Sequence, residues 1–146
     1  MESVSKEEYI IRRVPPSTDK MVYSKAKANS PNARKRATSA ALHRRQGELG
    51  LSCSRLSITS PIQLLSQVNL SSLDGWEVCV WRVGDLPEGL SVMITPSVPP
   101  ELDPGHCEIR SPDFSKRLIS KLADASTILT TDQVANMRAG DIPNRD

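Results

Sequence analysis

The residues in this sequence with the chemistry of metal ligands or nucleophiles are Cys53, Cys79, Cys107, His43 and His106. No Cys-x-x-Cys or His-x-x-x-His pair sets two of them on one face of an element. His106 and Cys107 are adjacent, and adjacent residues of a strand point to opposite sides. The pattern predicts buried free thiols in a reducing compartment and a polar imidazole at a strand end, with no metal site and no cofactor. A Cys–His nucleophile pair would need folding to bring Cys107 to His43 or His106, and nothing in the spacing joins them.

Carboxylate pairs and glycines carry no clearer signature. Asp85 and Glu88 lie in a turn, and Glu101 and Asp103 lie in a proline-rich stretch, where solvation is the expectation for both pairs. Gly47 and Gly50 precede a strand, whereas a phosphate cradle follows a strand and opens a helix. The charge distribution says more. The chain carries 19 Lys and Arg against 17 Asp and Glu, yet no acid falls between Lys20 and Arg45. Within that stretch Lys25, Lys27, Arg34, Lys35, Arg36, Arg44 and Arg45 are candidates for contact with a partner or with nucleic acid. Tyr23 is its one aromatic residue, so stacking on single-stranded bases has little support.

The elements that must position these residues follow from periodicity. Trp76 to Val83 reads as a strand whose two faces are both mostly apolar, hence a central strand covered on both sides. Glu8 to Val14 and Leu49 to Ile58 read as further strands, Leu90 to Thr95 as a strand able to form a hairpin with the central one, and His106 to Arg110 as a short strand. Ser60-Pro61 starts a helix to about Asn69, with Ile62, Leu65 and Val68 on one stripe. Ser111-Pro112-Asp113 starts a second helix, with a stripe of Phe114, Leu118, Ile119 and Leu122. Thr127 to Leu129 suggests a last strand, and Thr130 with Gln133 a capping box for a short helix through Met137. Thr38 to Leu42 fits a brief strand or a helical turn. Pro96 to Gly105 reads as a stiff, extended connection.

The fold class expected is α+β, a small mixed β-sheet packed by two or three short helices. Its organisation is an N-terminal strand in residues 1–17, a basic, partly flexible loop in 18–46, an α/β core in 47–130, and a short helix with a polar tail in 131–146. No apolar run approaches the roughly 18–20 residues of a transmembrane helix, and Met1 leads into charged residues instead of a signal-type apolar segment. A soluble, cytoplasmic protein with no membrane contact is therefore expected.

The segments Arg13-Val14-Pro15-Pro16, Thr38 to Leu42, Gly47 to Ser52, Val83-Gly84-Asp85 with Gly89-Leu90, and Pro104 to Ile109 occur in an order that resembles a group of short uncharacterised bacterial proteins. The resemblance implies a compact bacterial domain and adds no catalytic residue. The chain departs from that pattern in its basic insertion from Asn29 to Arg36 and in having Cys at positions 53 and 107. An early strand with Arg12 or Arg13, the Ser39 segment and a following Gly-Leu-Ser strand also resemble the start of a compact ADP-ribosyltransferase-like fold. That likeness implies that Arg12 or Arg13 holds the pyrophosphate of NAD, that Ser39 or Ser52 lies near the ribose, and that His106 or Glu108 completes the site. Read plainly, the same residues are an edge-strand Arg, strand or turn serines and a strand-end His. The leading expectation is a protein-interaction module or small accessory subunit of a bacterial multi-protein system. It would act through another protein, with contacts on the basic segment and on Pro96 to Gly105, and not by its own catalysis. Nucleic-acid binding through residues 20–45 and a small ADP-ribosyltransferase-like enzyme are the alternatives.

Overall fold

The computed structural model describes residues 2–17, 21–26, 35–42, 50–67 and 75–143. It is an α+β fold built on a six-stranded sheet, with strands β1 (Tyr9–Val14), β4 (Gly50–Arg55), β5 (Glu77–Arg82), β6 (Ser91–Ile94), β7 (His106–Arg110) and β8 (Thr127–Ile128). The strand order is β6-β7-β4-β1-β5-β8, and each pairing described within it is antiparallel. Two further short strands, β2 (Ser24–Ala26) and β3 (Lys35–Ala37), form a separate antiparallel pair.

Alternation divides the core in two. Ile10, Val14, Leu51, Cys53, Cys79, Trp81, Cys107 and Ile109 point to one face, where helix α2 (Lys116–Ala125) supplies Leu122 and Ala123. Ile11, Val78 and Val80 point to the other, against Leu64 and Leu65 of helix α1 (Pro61–Ser66) and Val134 of helix α3 (Thr131–Asn136). Trp81 fastens the first face through its Nε1–H, which donates to the Leu122 carbonyl at 2.9 Å.

β5 is apolar on both faces, as its composition predicts, but it stands next to the edge, and β4 and β1 hold the middle. Two-faced apolarity reports cover above and below a strand, not its rank in the hydrogen-bond order. The hairpin between β5 and β6 does not form. β5 lies between β1 and β8, while β6 pairs with β7 at the far edge. There the N-terminal residues close the ladder: Val4 N donates to Val92 O and Ile94 N to Glu2 O, both at 2.8 Å.

Helix starts follow cap chemistry. Ser60 and Gln63 form a reciprocal capping box on α1, and Thr130 and Gln133 form one on α3. Ile62 is exposed, so the buried face of α1 is Leu64 and Leu65 instead of the expected stripe; Val68 and Asn69 lie outside the described residues. α2 begins later than expected. Ser115, not Ser111, accepts from Leu118 N at 3.1 Å, while Ser111 closes a local turn with Asp113. Starting at Lys116 puts Phe114 just before the cap and Ile119 in the first turn, both against the same core, the arrangement of a hydrophobic staple.

The stretch expected as a loop contains the β2–β3 pair and a 3-10 turn at Ser39–Ala41. It is ordered by docking: Ala37 N donates to Ser126 Oγ at 2.9 Å, Lys35 pairs with Glu77 and Arg36 with Asp124, each at 3.0 Å. The C-terminal tail is also held, since Gly140 N donates to Leu56 O at 2.8 Å and Pro143 is buried. Among the described residues, no helix is long and apolar enough to cross a membrane.

Glu8 and Arg55 join the β1 entry to the end of β4 by a two-pronged ion pair of 3.0 and 2.9 Å, and Ser57 Oγ donates to the same carboxylate at 2.7 Å. Partial burial works to raise the Glu8 pKa, but the hydrogen bonds from Arg55 and Ser57 and the Arg55 charge outweigh it and leave it below its ordinary 4.5. The pair therefore contributes fully above 4.5, and its contribution is lost as pH falls through the lower, folded value. Chemical denaturation across acid pH should show wild type losing stability more steeply below 4.5 than Glu8→Gln; parallel curves would show that Glu8 has no such role.

Candidate functional site

The proline-rich connection from Pro96 to Gly105 is neither simply extended nor free. Pro removes backbone donors, so the segment must be held by side chains. Ser97 does this from within: its Oγ accepts from Asp103 N at 3.1 Å and faces the carbonyls of Pro99, Pro100 and Asp103 at 2.8, 3.2 and 3.2 Å as donor. A 3-10 turn, Pro100–Leu102, fills the middle, and the Val98–Pro99 bond is cis.

Asp103 then turns inward and is only 4 % exposed, contrary to the expected solvation. A buried carboxylate persists only when donors meet it. Here Ser54 Oγ and Thr59 Oγ1, the latter at 2.8 Å, and Gly105 N at 3.2 Å supply them. Ser54 comes from β4 and Thr59 from the turn that leads to α1, so one carboxylate joins the loop to two elements. Gly105 has no room for a side chain, because an added Cβ would lie 2.5 Å from Thr59 Oγ1 and 3.1 Å from Arg55 O.

His106 follows directly. Its Nδ1 lies 2.9 Å from both the Thr95 carbonyl and Thr95 Oγ1. A carbonyl only accepts, so the ring proton sits on Nδ1. Ser54, His106 and Asp103 are thus neighbours without being a catalytic triad. Ser54 is 1 % exposed and its hydroxyl donates a hydrogen bond to Asp103, and the imidazole is turned to Thr95.

The outside of the loop is apolar. Val98 is 92 % exposed and Leu102 53 %, and both neighbouring prolines are exposed. Ile58 sits beside Thr59, Ile62 follows the Ser60 cap, and Ile142 lies in the tail that is bonded to Leu56. Five of the seven large apolar side chains exposed among the described residues therefore come from segments tied together at one end of the sheet.

No family model, curated protein or solved structure matches the chain. Neither likeness noted from the sequence gains support from a match, and the residues have to speak through their geometry.

Arg13, Ser52, His106 and Glu108 share the α1 face of the sheet, whereas Arg12 points to the α2 face and Ser39 is exposed on the 3-10 turn that packs with α2. The structure thus brings one Arg, one Ser and both candidates for the last position together. Their side chains are engaged structurally. Arg13 Nη1 donates to Leu64 O and Gln67 Oε1, each at 3.2 Å, bracing the C-terminal end of α1, and Glu108 pairs with Arg110 at 3.3 Å. Arg12 Nη1 donates to Ser52 O at 2.7 Å.

Cys53 and Cys107 are directly opposed on β4 and β7, with Cys79 on the same face. Burial pushes the Cys53 thiol up to about 12 and raises Cys79 and Cys107 further. Such thiols are protonated and poor nucleophiles. Among the described residues, no group of three His, Cys, Asp or Glu side chains could hold a metal ion.

Of the basic block, Lys25 is exposed, while Lys35 and Arg36 are paired within the fold. Lys27, Arg34, Arg44 and Arg45, together with His43 and Gly47, lie outside the described residues. The group that sequence reasoning missed is Ser54, Thr59, Ser97 and Asp103. One signal was present: Asp103-Pro104-Gly105 is a turn sequence in which an Asp side chain takes the amide two residues on.

Asp103→Ala should cost about 3 kcal/mol or more, because it orphans buried donors from three segments. Gly105→Ala should cost about 1–3 kcal/mol by overpacking. Denaturant midpoints at unchanged slope test both; losses within about 0.5 kcal/mol would mean that the network is not a structural anchor.

Proposed function

We propose that this chain is a protein-interaction module, a small accessory subunit of a bacterial, cytoplasmic multi-protein system. In this reading it binds its partner through the outer side of the proline loop and has no catalysis of its own. The observation that supports it is the contrast within the loop: Asp103 and Ser97 pin it from the inside, while Val98 and Leu102 stand out in water.

Exposed apolar side chains on a rigid backbone are worth more in binding than the same groups on a mobile one. The ordering entropy has already been spent in folding. Pro99 and Pro100 are exposed beside Val98, so the loop offers ring surface with few backbone donors. A partner surface that suits it is an apolar groove lined with aromatic rings, with Val98 and Leu102 as anchors and Ile58 and Ile62 extending the contact.

The test is affinity purification of the full chain from its host at low and high salt, beside the double variant Val98→Asp/Leu102→Asp. Both positions are exposed, so the variant should keep its stability within about 0.5 kcal/mol. A stoichiometric protein held by wild type at high salt should be identified, purified and rebound. Its affinity for the double variant should fall about 30-fold or more, as expected when hot-spot anchors are lost. Ser97→Ala, which loosens the loop without touching its apolar surface, should give a smaller loss. Equal affinity for wild type and the double variant would end this proposal.

A further inference from the structure

A second surface lies on the opposite face of the sheet and is not legible as one stretch of sequence. α2 turns Lys116, Arg117 and Lys121 to solvent, and β2 exposes Lys25. Lys25 lies opposite Arg36 on the β2–β3 pair, and Arg36 reaches across to Asp124 of α2 at 3.0 Å. That ion pair fastens the strand pair to the helix, so the cations of both belong to one surface. It also neutralises Asp124, as Lys35 does Glu77 at 3.0 Å. The acids within the surface are thereby cancelled by two cations, leaving Lys25, Lys116, Arg117 and Lys121 outward. The exposed acids in or beside α2 are Asp113, just ahead of it, and Asp124, which Arg36 pairs with.

The rest of the described surface has the opposite bias. Glu2, Glu7, Asp85, Glu88, Glu101, Asp132 and Asp141 are exposed elsewhere, against Lys6 and Arg138 as the exposed cations outside the basic surface among the described residues. On a chain of formal charge +2, this is segregation of charge, not excess of it. Separation of sign on a nearly neutral protein focuses the field on one face.

The surface also limits what could occupy it. No large apolar side chain of α2 is exposed, and Met21 and Val22, exposed just ahead of β2, are the only large apolar ones exposed beside the strand pair among the described residues, too few for the apolar centre of a protein interface. Among the described residues of this face no aromatic ring stands clear: Trp81 is buried, Phe114 packs on the core, and Tyr23 packs on the same core with its hydroxyl 3.3 Å from Met21 Sδ. Single-stranded nucleic acid is held chiefly by such rings. What remains is a rigid array of ammonium and guanidinium groups, with Arg117 and Lys121 one helical turn apart, about 6 Å along the axis. This chemistry suits phosphodiester groups, which carry no sequence information. We infer that the α2 and β2–β3 surface binds the phosphate backbone of a nucleic-acid double helix without sequence preference. The inference stands independently of the proline loop, which belongs to the other side of the sheet.

The test is fluorescence anisotropy with the full chain and short DNA and RNA duplexes of mixed sequence, titrated across salt. With about four phosphates neutralised, log affinity should fall with log salt at a slope of about −3.6, or roughly 100-fold between about 50 and about 200 mM. The triple variant Lys116→Gln/Arg117→Gln/Lys121→Gln should bring the slope to about −1, since each phosphate contact carries about −0.9. Lys6→Gln/Arg138→Gln, which removes charge outside the surface, should leave both affinity and slope as in wild type. No binding at low salt, an unchanged slope in the triple variant, or an equal loss in the Lys6/Arg138 variant would each overturn the inference. So would single-stranded oligonucleotide or polyglutamate binding as tightly as duplex.

Discussion

A carboxylate taken out of water must be surrounded by donors or it unfolds what surrounds it, and Asp103 is the place where this protein meets that requirement. Its partners come from the middle of the sheet, from the turn before α1, and from the loop's own backbone. Removing the side chain would free the loop and also strip β4 and the turn of a shared acceptor. Low backbone hydrogen-bonding capacity in a proline-rich segment would normally imply looseness. Here one inward side chain and one serine hydroxyl replace the missing ladder.

The sheet separates what the two sides of the molecule can do. On one side α1, α3 and the tail leave isoleucines exposed near the loop; on the other, α2 and the β2–β3 pair present cations. The apolar surface gains from water exclusion and is little affected by salt, while the basic surface depends on counterion release and responds to it strongly. Under the two proposals made above, one chain would join a protein to a nucleic acid, since neither surface contains residues needed by the other.

The features visible in the sequence were those fixed by neighbours a few residues away. The Thr130–Gln133 box, the Ser60-Pro61 start and the two-faced β5 needed only local spacing. Those that were not visible depended on partners far along the chain. β6 has a strand pattern that says nothing of β7 as its neighbour, and β2 and β3 are polar strands ordered by Glu77, Asp124 and Ser126. The start of α2 was decided by which of two serines lets Phe114 and Ile119 reach the core. Of the anchoring group, only the turn around Asp103 left a trace; Ser54 and Thr59 look like any strand and turn residues. The cations of α2 were visible singly, but their joining to Lys25 depended on a contact between Arg36 and Asp124 that no spacing announces.

The pairing of residues 2–4 with β6 closes one edge of the sheet with a segment distant in sequence. These residues and the strand they close stand at opposite ends of the stretch from residue 2 to residue 94. Contacts so distant in sequence form late and slow assembly. Until residues 2–4 dock, the outer edge of β6 is open to other strands. A few main-chain hydrogen bonds from residues 2–4 thus protect that edge from pairing with a neighbouring molecule.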